Sequence, residues 1–355
     1  MRAWLVLACI ACSSAAPAPS DGGAQVPDAG VPRANGTIAS WRTLAAMPEP
    51  RANHCSAVAA GHLLVFGGNH RPDGGADFVV TDAVHSARVL DGGGLGPWKL
   101  AGRMPSAASE CTVAADGARV IVVDAIYART SDGGKVIAAT VDGDGLLAAW
   151  SVLGSVPDAR RVLSSEAWVR GATLYAMADE IDPDGGAGGT LTLHAAAGAS
   201  LGGWQTDAWL PEFRGQAQYA WTDRYVYVLG GYLAGATQVS AGVVGGTIGS
   251  DGTVGGRFDA RALPEPTAFG EAVAVDDYLF VVGGRGAVFG GSGRSSVLSA
   301  RAAGDGSLGE WTPQAPLPEG RTNHDMALGG SYLYVTGGAV SGPGGDTVLV
   351  AQVRF

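Results

Sequence analysis

Apolar residues in this chain fall into short runs, roughly four to eight long, cut off by Gly, Asp or Pro. Cys55 to Ala60, Leu63 to Phe66, Val84 to Leu90 and Gly96 to Leu100 are one such set. Val, Tyr, Leu and Phe dominate the runs, and no window keeps the apolar spacing of a helix, so the pattern predicts strands throughout. The strands come in groups of four. Asp91-Gly92, Asp144-Gly145 and Asp305-Gly306 stand between the third and fourth runs of their groups, where Asp-Gly turns join antiparallel neighbours.

The groups repeat. Trp41, Trp98, Trp150, Trp204, Phe258 and Trp311 follow at steps of 57, 52, 54, 54 and 53 residues. A proline trails each one, at Pro48, Pro105, Pro157, Pro211, Pro264 and Pro318. The second run of most repeats ends in a glycine pair, as in Leu63 to Gly68, Tyr225 to Gly231, Tyr278 to Gly284 and Tyr332 to Gly338. The second and third repeats replace it, with Asp124-Ala125 and Ala178-Asp179. Four antiparallel strands in each step of about fifty residues describe one blade of a propeller. The order Arg-x-Asn-His, a small apolar run, an aromatic-bearing strand, Gly-Gly and a distant Trp resembles the kelch repeat, over residues 41–355. That resemblance implies an all-β, six-bladed kelch-like β-propeller. The last repeat lacks a Trp-bearing strand, and Thr37 to Trp41 precedes any complete blade. The N-terminal strand is therefore expected to complete the last blade and close the ring. A seventh blade would need a repeat that the prolines do not show. The single domain is placed at 37–355 and is expected to be a monomer.

Composition adds to this picture in three places. Glycine, 57 of 355 residues, is about twice its usual share and suits short strands with frequent turns. The net charge of −10, with 23 basic and 33 acidic residues and no basic run, argues against a nucleic-acid partner. At the N-terminus, Arg2 precedes the apolar run Ala3 to Ala11 and small residues follow. Residues 1–16 thus have the form of an export signal. Val6 to Cys9 and Cys9 to Cys12 each resemble a bacterial lipobox, with Cys12, or else Cys9, as the lipidated residue. Residues 17–36, rich in Ala, Pro, Gly and Asp, follow as a flexible tether. These features predict an exported cell-envelope lipoprotein (otherwise a periplasmic or secreted protein), meeting membrane only through a lipid anchor.

The tryptophans and the repeated aromatics Tyr175, Tyr227, Tyr334, Phe66 and Phe280 are expected to pack between blades. Chemistry is sought where equivalent positions differ. Aligned on the glycine pairs, the entry to the innermost strand reads His54, Glu110, Ser164, Ala217, Gly270 and His324. The next position reads Cys55, Cys111, Ser165, Gln218, Glu271 and Asp325. Blades one and six carry the same string, Arg51-Ala-Asn53-His54 and Arg321-Thr-Asn323-His324. Arg51, Asn53, His54, Glu271, Arg321, Asn323 and His324 form the candidate binding set beside the channel mouth, the competing role for the arginines being to satisfy backbone carbonyls. Cys55 and Cys111 in adjacent blades invite a disulfide in an exported protein, the separation of neighbouring strands being left open. No close metal-ligand spacing, phosphate loop or nucleophile motif is present, so no cofactor or metal is expected. The acidic stretch 179–186 is taken as a solvated loop rather than a calcium loop. The resemblance leaves two functions open. One is a non-catalytic module binding a glycan, peptide or partner protein on this face. The other is a sugar mutarotase or epimerase using His54, His324 and Glu271 as acid/base groups.

Overall fold

The computed structural model describes residues 35–38, 40–71, 78–123, 134–156, 166–181, 187–233, 238–339 and 345–354, with the side chains of 179–181 and 187–188 excepted. The predicted export signal, both candidate lipidation cysteines and nearly all of the tether lie outside these residues, as do residues 182–186 of the acidic stretch 179–186.

The described residues form six four-stranded antiparallel sheets, with one further two-stranded ribbon pairing Asn69–His70 and Val79–Val80. Blade one runs outward through Cys55–Ala59, His62–Phe66, Ala83–Arg88 and Lys99–Arg103. Blades two to five follow the same order, with innermost strands Thr112–Asp116, Ala167–Arg170, Gln218–Trp221 and Ala268–Val275. In blade six, Asp325–Gly329, Tyr332–Thr336 and Val348–Gln352 are followed by Arg42–Thr43 from the other end of the chain. Arg42 pairs with Val350, and Ile38 bridges to Val353. The ring therefore closes through the N-terminal strand. Its start is slightly earlier than the predicted tether boundary, because the Asn35 amide already donates to Arg354 and the Gly36 carbonyl accepts from Ser299.

Strand alternation explains where the core lies. In the second strand of blade one, Leu64 and Phe66 join a buried cluster with blade two, while Leu63 and Val65 join one with blade six. All four are fully buried. A period of two thus sends successive side chains to opposite neighbours, and each blade is apolar on both faces. Each fully buried side chain of this size contributes about 1.5–3 kcal/mol.

The outer rim carries the tryptophan signature. Indole N–H groups of Trp98, Trp150, Trp204, Trp311 and Trp41 donate to the carbonyls of Ala45, Arg103, Ser155, Arg261 and Ala315, at 2.7–3.1 Å. Each acceptor lies just inside or just past the outermost strand of the preceding blade. Blade four departs from the sequence alignment by one residue. Phe258 pairs with Gly245, which itself pairs with Tyr227, the place of Lys99 opposite Ser86 and Leu64 in blade one. The tryptophan position thus falls on Arg257, which reaches Glu212 beyond the end of blade three at 2.8 Å. An ion pair replaces the indole bond, and Phe258 instead lies edge-on to Tyr225 and Tyr227.

Candidate functional site at the channel mouth

The strand registers set which residues ring the channel. Cys55 pairs with Phe66, Thr112 with Val123, Gln218 with Leu229, Glu271 with Val282 and Asp325 with Thr336. In blade three Ala167 pairs with Ala176, and the Met177 amide donates to Glu166. The first strand position is therefore Cys55, Thr112, Glu166, Gln218, Glu271 and Asp325. Alignment on the glycine pairs places Cys111 and Ser165 in this ring; Cys111 belongs one residue earlier, Ser164 and Ser165 lie outside the described residues, and Glu166 holds the blade-three position. Blades two and three lack the glycine pair that anchors the alignment, and the one-residue slip hides Glu166.

Two residues before that ring, the five blades described at this position hold a left-handed residue: Asn53, Glu110, Gln216, Phe269 and Asn323, with φ between 52° and 61°. Their backbones form a collar, with amides of Glu110, Asn53, Asn323 and Phe269 donating to Asn53, Asn323, Phe269 and Gln216 at 2.6–3.0 Å. Non-glycine residues pay a penalty of about 1 kcal/mol or more in this conformation, here offset by the collar bonds. Inside the collar is a cavity, open at its mouth, that all six blades help to line.

Four carboxyl groups line it: Glu110, Glu166, Glu271 and Asp325. Burial raises Glu110 to about 7. Asp325 is also pushed up to about 7 by burial, against the pull of hydrogen bonds from the Ser56 amide and hydroxyl. Glu166 and Glu271 are raised well above the usual carboxylate range by burial and by Asp325, and for Glu271 by Glu166 as well. Like charges this close resist joint ionisation. Among the described residues no Lys or Arg lines the cavity.

The candidate set divides. Asn53, His54, Glu271, Asn323 and His324 line the cavity, and the Asn323 amide donates to the Asn53 side-chain oxygen at 2.8 Å. Arg51 and Arg321 do not line it; both are buried to 1% exposure. Arg51 donates to the carbonyls of Gly67 and Ala83, and Arg321 to those of Gly337 and Thr347. Arg214 does the same in blade four, for Gly230 and the Ser240 hydroxyl. The arginines are thus internal caps on the turns of their own blades and stand outside the cavity lining. The histidines reach sideways as much as inward. His54 Nε2 meets the Thr336 hydroxyl at 2.8 Å. A Cβ on Gly337 would come within 2.7 Å of the His54 ring, and one on Gly283 equally close to the His324 ring. Both glycines have positive φ, so at these two places the glycine pair serves the turn and the neighbouring histidine together. Burial is the main cause that presses His54 and His324 down to about 3, with Arg51 adding to it at His54 and Arg321 at His324. They are neutral imidazoles at ordinary pH.

Cys55 and Cys111 are joined by a disulfide with their Cα atoms 5.6 Å apart, inside the usual span. The bond links blades one and two across the one-residue offset and forms part of the cavity wall. Phe269, which sequence reasoning passes over, sits on the opposite wall, stacked on Tyr232 and under the Arg285 guanidinium at 3.8 Å. Its signal is the interruption of a polar collar by an aromatic residue. Among the described residues no group of three His, Cys, Asp or Glu is placed to hold a metal ion.

Comparison with known proteins agrees with this architecture. No protein-family model matches the chain. The Kelch-like protein terF of Aspergillus terreus is 23% identical over 319 residues, covering 88% of this chain and 64% of the fungal protein. The chain therefore spans less than two thirds of that relative's length. The solved structure of YjhT superposes with a TM-score of 0.67 at 13% identity, over 88% of this chain and 97% of that one. With six four-stranded blades, glycine-paired second strands and a ring closed from the N-terminus, this chain is a six-bladed β-propeller of the kelch-repeat type.

Proposed function

We propose that the chain is a ligand-binding propeller that takes a small polar group, or the end of a glycan or peptide, into the cavity inside the collar. The observation that carries this reading is the collar itself. Five equivalent positions hold strained backbone in common yet present Asn, Glu, Gln, Phe and Asn. A scaffold needs the bonds but not the variety of side chains, and convergent polar groups with one aromatic wall suit a ligand cavity. Calorimetric titration of monosaccharides and short peptides against the full chain, with Phe269→Ala and Glu271→Gln beside it, tests the reading. At least a tenfold loss of affinity is expected in both variants; binding that survives both changes would place the ligand elsewhere. Export and envelope tethering belong to the same proposal, supported by the apolar run and paired cysteines of residues 1–16.

The mutarotase or epimerase alternative keeps one specific support, because Glu110 and Asp325 hold protons near pH 7 and could exchange them with a sugar. The buried histidines cannot serve that role near neutrality. Polarimetry of sugar anomerisation, wild type against Asp325→Asn, distinguishes catalysis from binding.

A further inference from the structure

We infer that Asn35 is a modification site: in the turn that closes the ring it converts itself, through a succinimide formed with Gly36, to aspartate and isoaspartate. The pattern for this turn is set by two others that join a third strand to a fourth. In blade four the Thr253 amide and hydroxyl donate to Asp251 Oδ1 at 3.1 and 2.8 Å. In blade five Ser307 does the same for Asp305 at 3.0 and 2.7 Å. The intervening glycines, Gly252 and Gly306, have φ of 89° and 86°. Their amides donate back to the carbonyls of Gly249 and Ala303 at 3.1 and 3.0 Å.

Blade six takes its fourth strand from the N-terminal segment, and Asn35-Gly36-Thr37 rebuilds the same turn there. The Thr37 amide and hydroxyl donate to Asn35 Oδ1 at 3.1 and 2.5 Å. The Arg354 amide donates to the Thr37 carbonyl, as Ala303 does to Ser307. Gly36 has φ 75° and lies so close to Tyr278 that a Cβ would stand 2.2 Å from the ring. One bond differs. The Arg354 carbonyl accepts from the Asn35 main-chain amide at 2.9 Å, and the Gly36 amide has no backbone partner among the described residues. Gly36 is buried, where an unbonded N–H is rare.

The conditions for cyclisation thus meet at one place. Asn35 is exposed and carries an amide where the sister turns carry a carboxylate. The next residue has no side chain to block its nitrogen, and that nitrogen is not held by a turn bond. Two donors already sit on the oxygen where negative charge develops. The other asparagines, Asn53, Asn69 and Asn323, are each followed by histidine. The reaction balances with water alone. The Gly36 nitrogen passes its proton to solvent and attacks Asn35 Cγ; the N–Cγ bond forms, the Cγ–Nδ2 bond breaks, and ammonia leaves with a proton from solvent. Water then opens the ring. Breaking the new N–Cγ bond gives aspartate, the residue type of the sister turns. Breaking the bond to the main-chain carbonyl of residue 35 gives isoaspartate, whose backbone runs through the former side chain. That longer backbone cannot keep the Arg354 and Thr37 bonds together, so the isoaspartyl form closes the ring less tightly.

The test is ageing of the full chain in neutral buffer at physiological temperature, followed by peptide mass spectrometry, with isoaspartate read by isoaspartyl methyltransferase labelling. Asn35 should convert at least about tenfold faster than Asn53, Asn69 or Asn323, and as fast in folded protein as in guanidinium chloride. Thr37→Val keeps the side-chain shape and removes the hydroxyl donor; it should slow conversion about tenfold in folded protein and leave the unfolded rate unchanged. Asn35→Asp should melt where fresh wild type melts, whereas aged wild type should melt lower in proportion to its isoaspartate. Conversion in guanidinium chloride with none in the folded chain would overturn the inference, because the turn would then protect the amide. An undiminished rate in folded Thr37→Val would overturn it as well, leaving an ordinary Asn-Gly pair. The folded and unfolded wild-type rates decide the matter even if Thr37→Val fails to fold.

Discussion

The outer rim and the channel mouth are built from the same six-fold repeat, yet they use it in opposite ways. On the rim one residue type does one job in five blades, each tryptophan bonding to the blade before it. At the mouth the shared positions carry Cys, Thr, Glu, Gln, Glu and Asp, and all of these except Gln218 line the cavity. The two-fold string Arg-x-Asn-His lies between these extremes. Its arginines belong with the rim as scaffold, capping carbonyls 16 residues ahead, and only its asparagines and histidines face the cavity. Identity among repeats marks what the ring needs to close, whereas divergence at a constrained position marks where the ring gives way to a site.

The strongest way to break this comparison is Arg321→Ala. If the arginine is scaffold, leaving the buried Gly337 carbonyl without its guanidinium donor and emptying the space the side chain fills should cost about 3 kcal/mol in urea unfolding, and Arg214→Ala should cost nearly as much. A stable Arg321→Ala protein with lost ligand affinity would return the residue to the site.

The titration behaviour of the cavity is the next test. Asp325 and Glu110 have folded values raised to about 7, above their unfolded ones. Their protonated forms favour the folded state, so their contribution is present at low pH and is lost as pH rises through about 7. His54 and His324 have folded values lowered to about 3, so theirs is present above about 6.5 and is lost as pH falls toward 3. Between about pH 6.5 and 8 only the carboxyls act among these groups. The melting temperature should fall by several degrees over that interval in the wild type and by visibly less in Asp325→Asn. A flat wild-type profile would mean that the cavity does not bury its acids.

The smallest effect concerns the rim. Trp150→Phe removes one interblade hydrogen bond and should cost about 1 kcal/mol, while Arg257→Ala removes a half-exposed ion pair and should cost less. Equal losses, measured by the same unfolding curves, would blur the distinction between blade four and its neighbours.

Much of the ring is legible in the residue pattern alone, and the exceptions have identifiable causes. The tryptophan and proline steps count blades because each blade must present the same edge to the next. The glycine pairs locate the second strand wherever positive φ is required, and in blades one, four, five and six they align the inner strands correctly. Blade three has Ala178-Asp179 instead, so counting from the wrong anchor puts Ser165 in the ring and leaves Glu166 out. Phe258 enters the tryptophan series for a related reason. It is aromatic at nearly the right distance, but a bulge between Gly245 and Thr247 shifts the local register, and Arg257 holds the true position.

Residue order is thus enough to set the repeat, the number of blades, the closing strand and the face on which unlike residues gather. These follow from short-range rules, namely alternation, turn chemistry and the fixed length of a blade. Which polar residues share a space is settled only when the ring is assembled in three dimensions. Arg321 and Asn323 are two residues apart in the chain but serve a buried turn and an open cavity, because a strand entry turns successive side chains in different directions. Glu166 and Asp325, 159 residues apart, feel each other's charge because a closed ring brings blades three and six together around one channel.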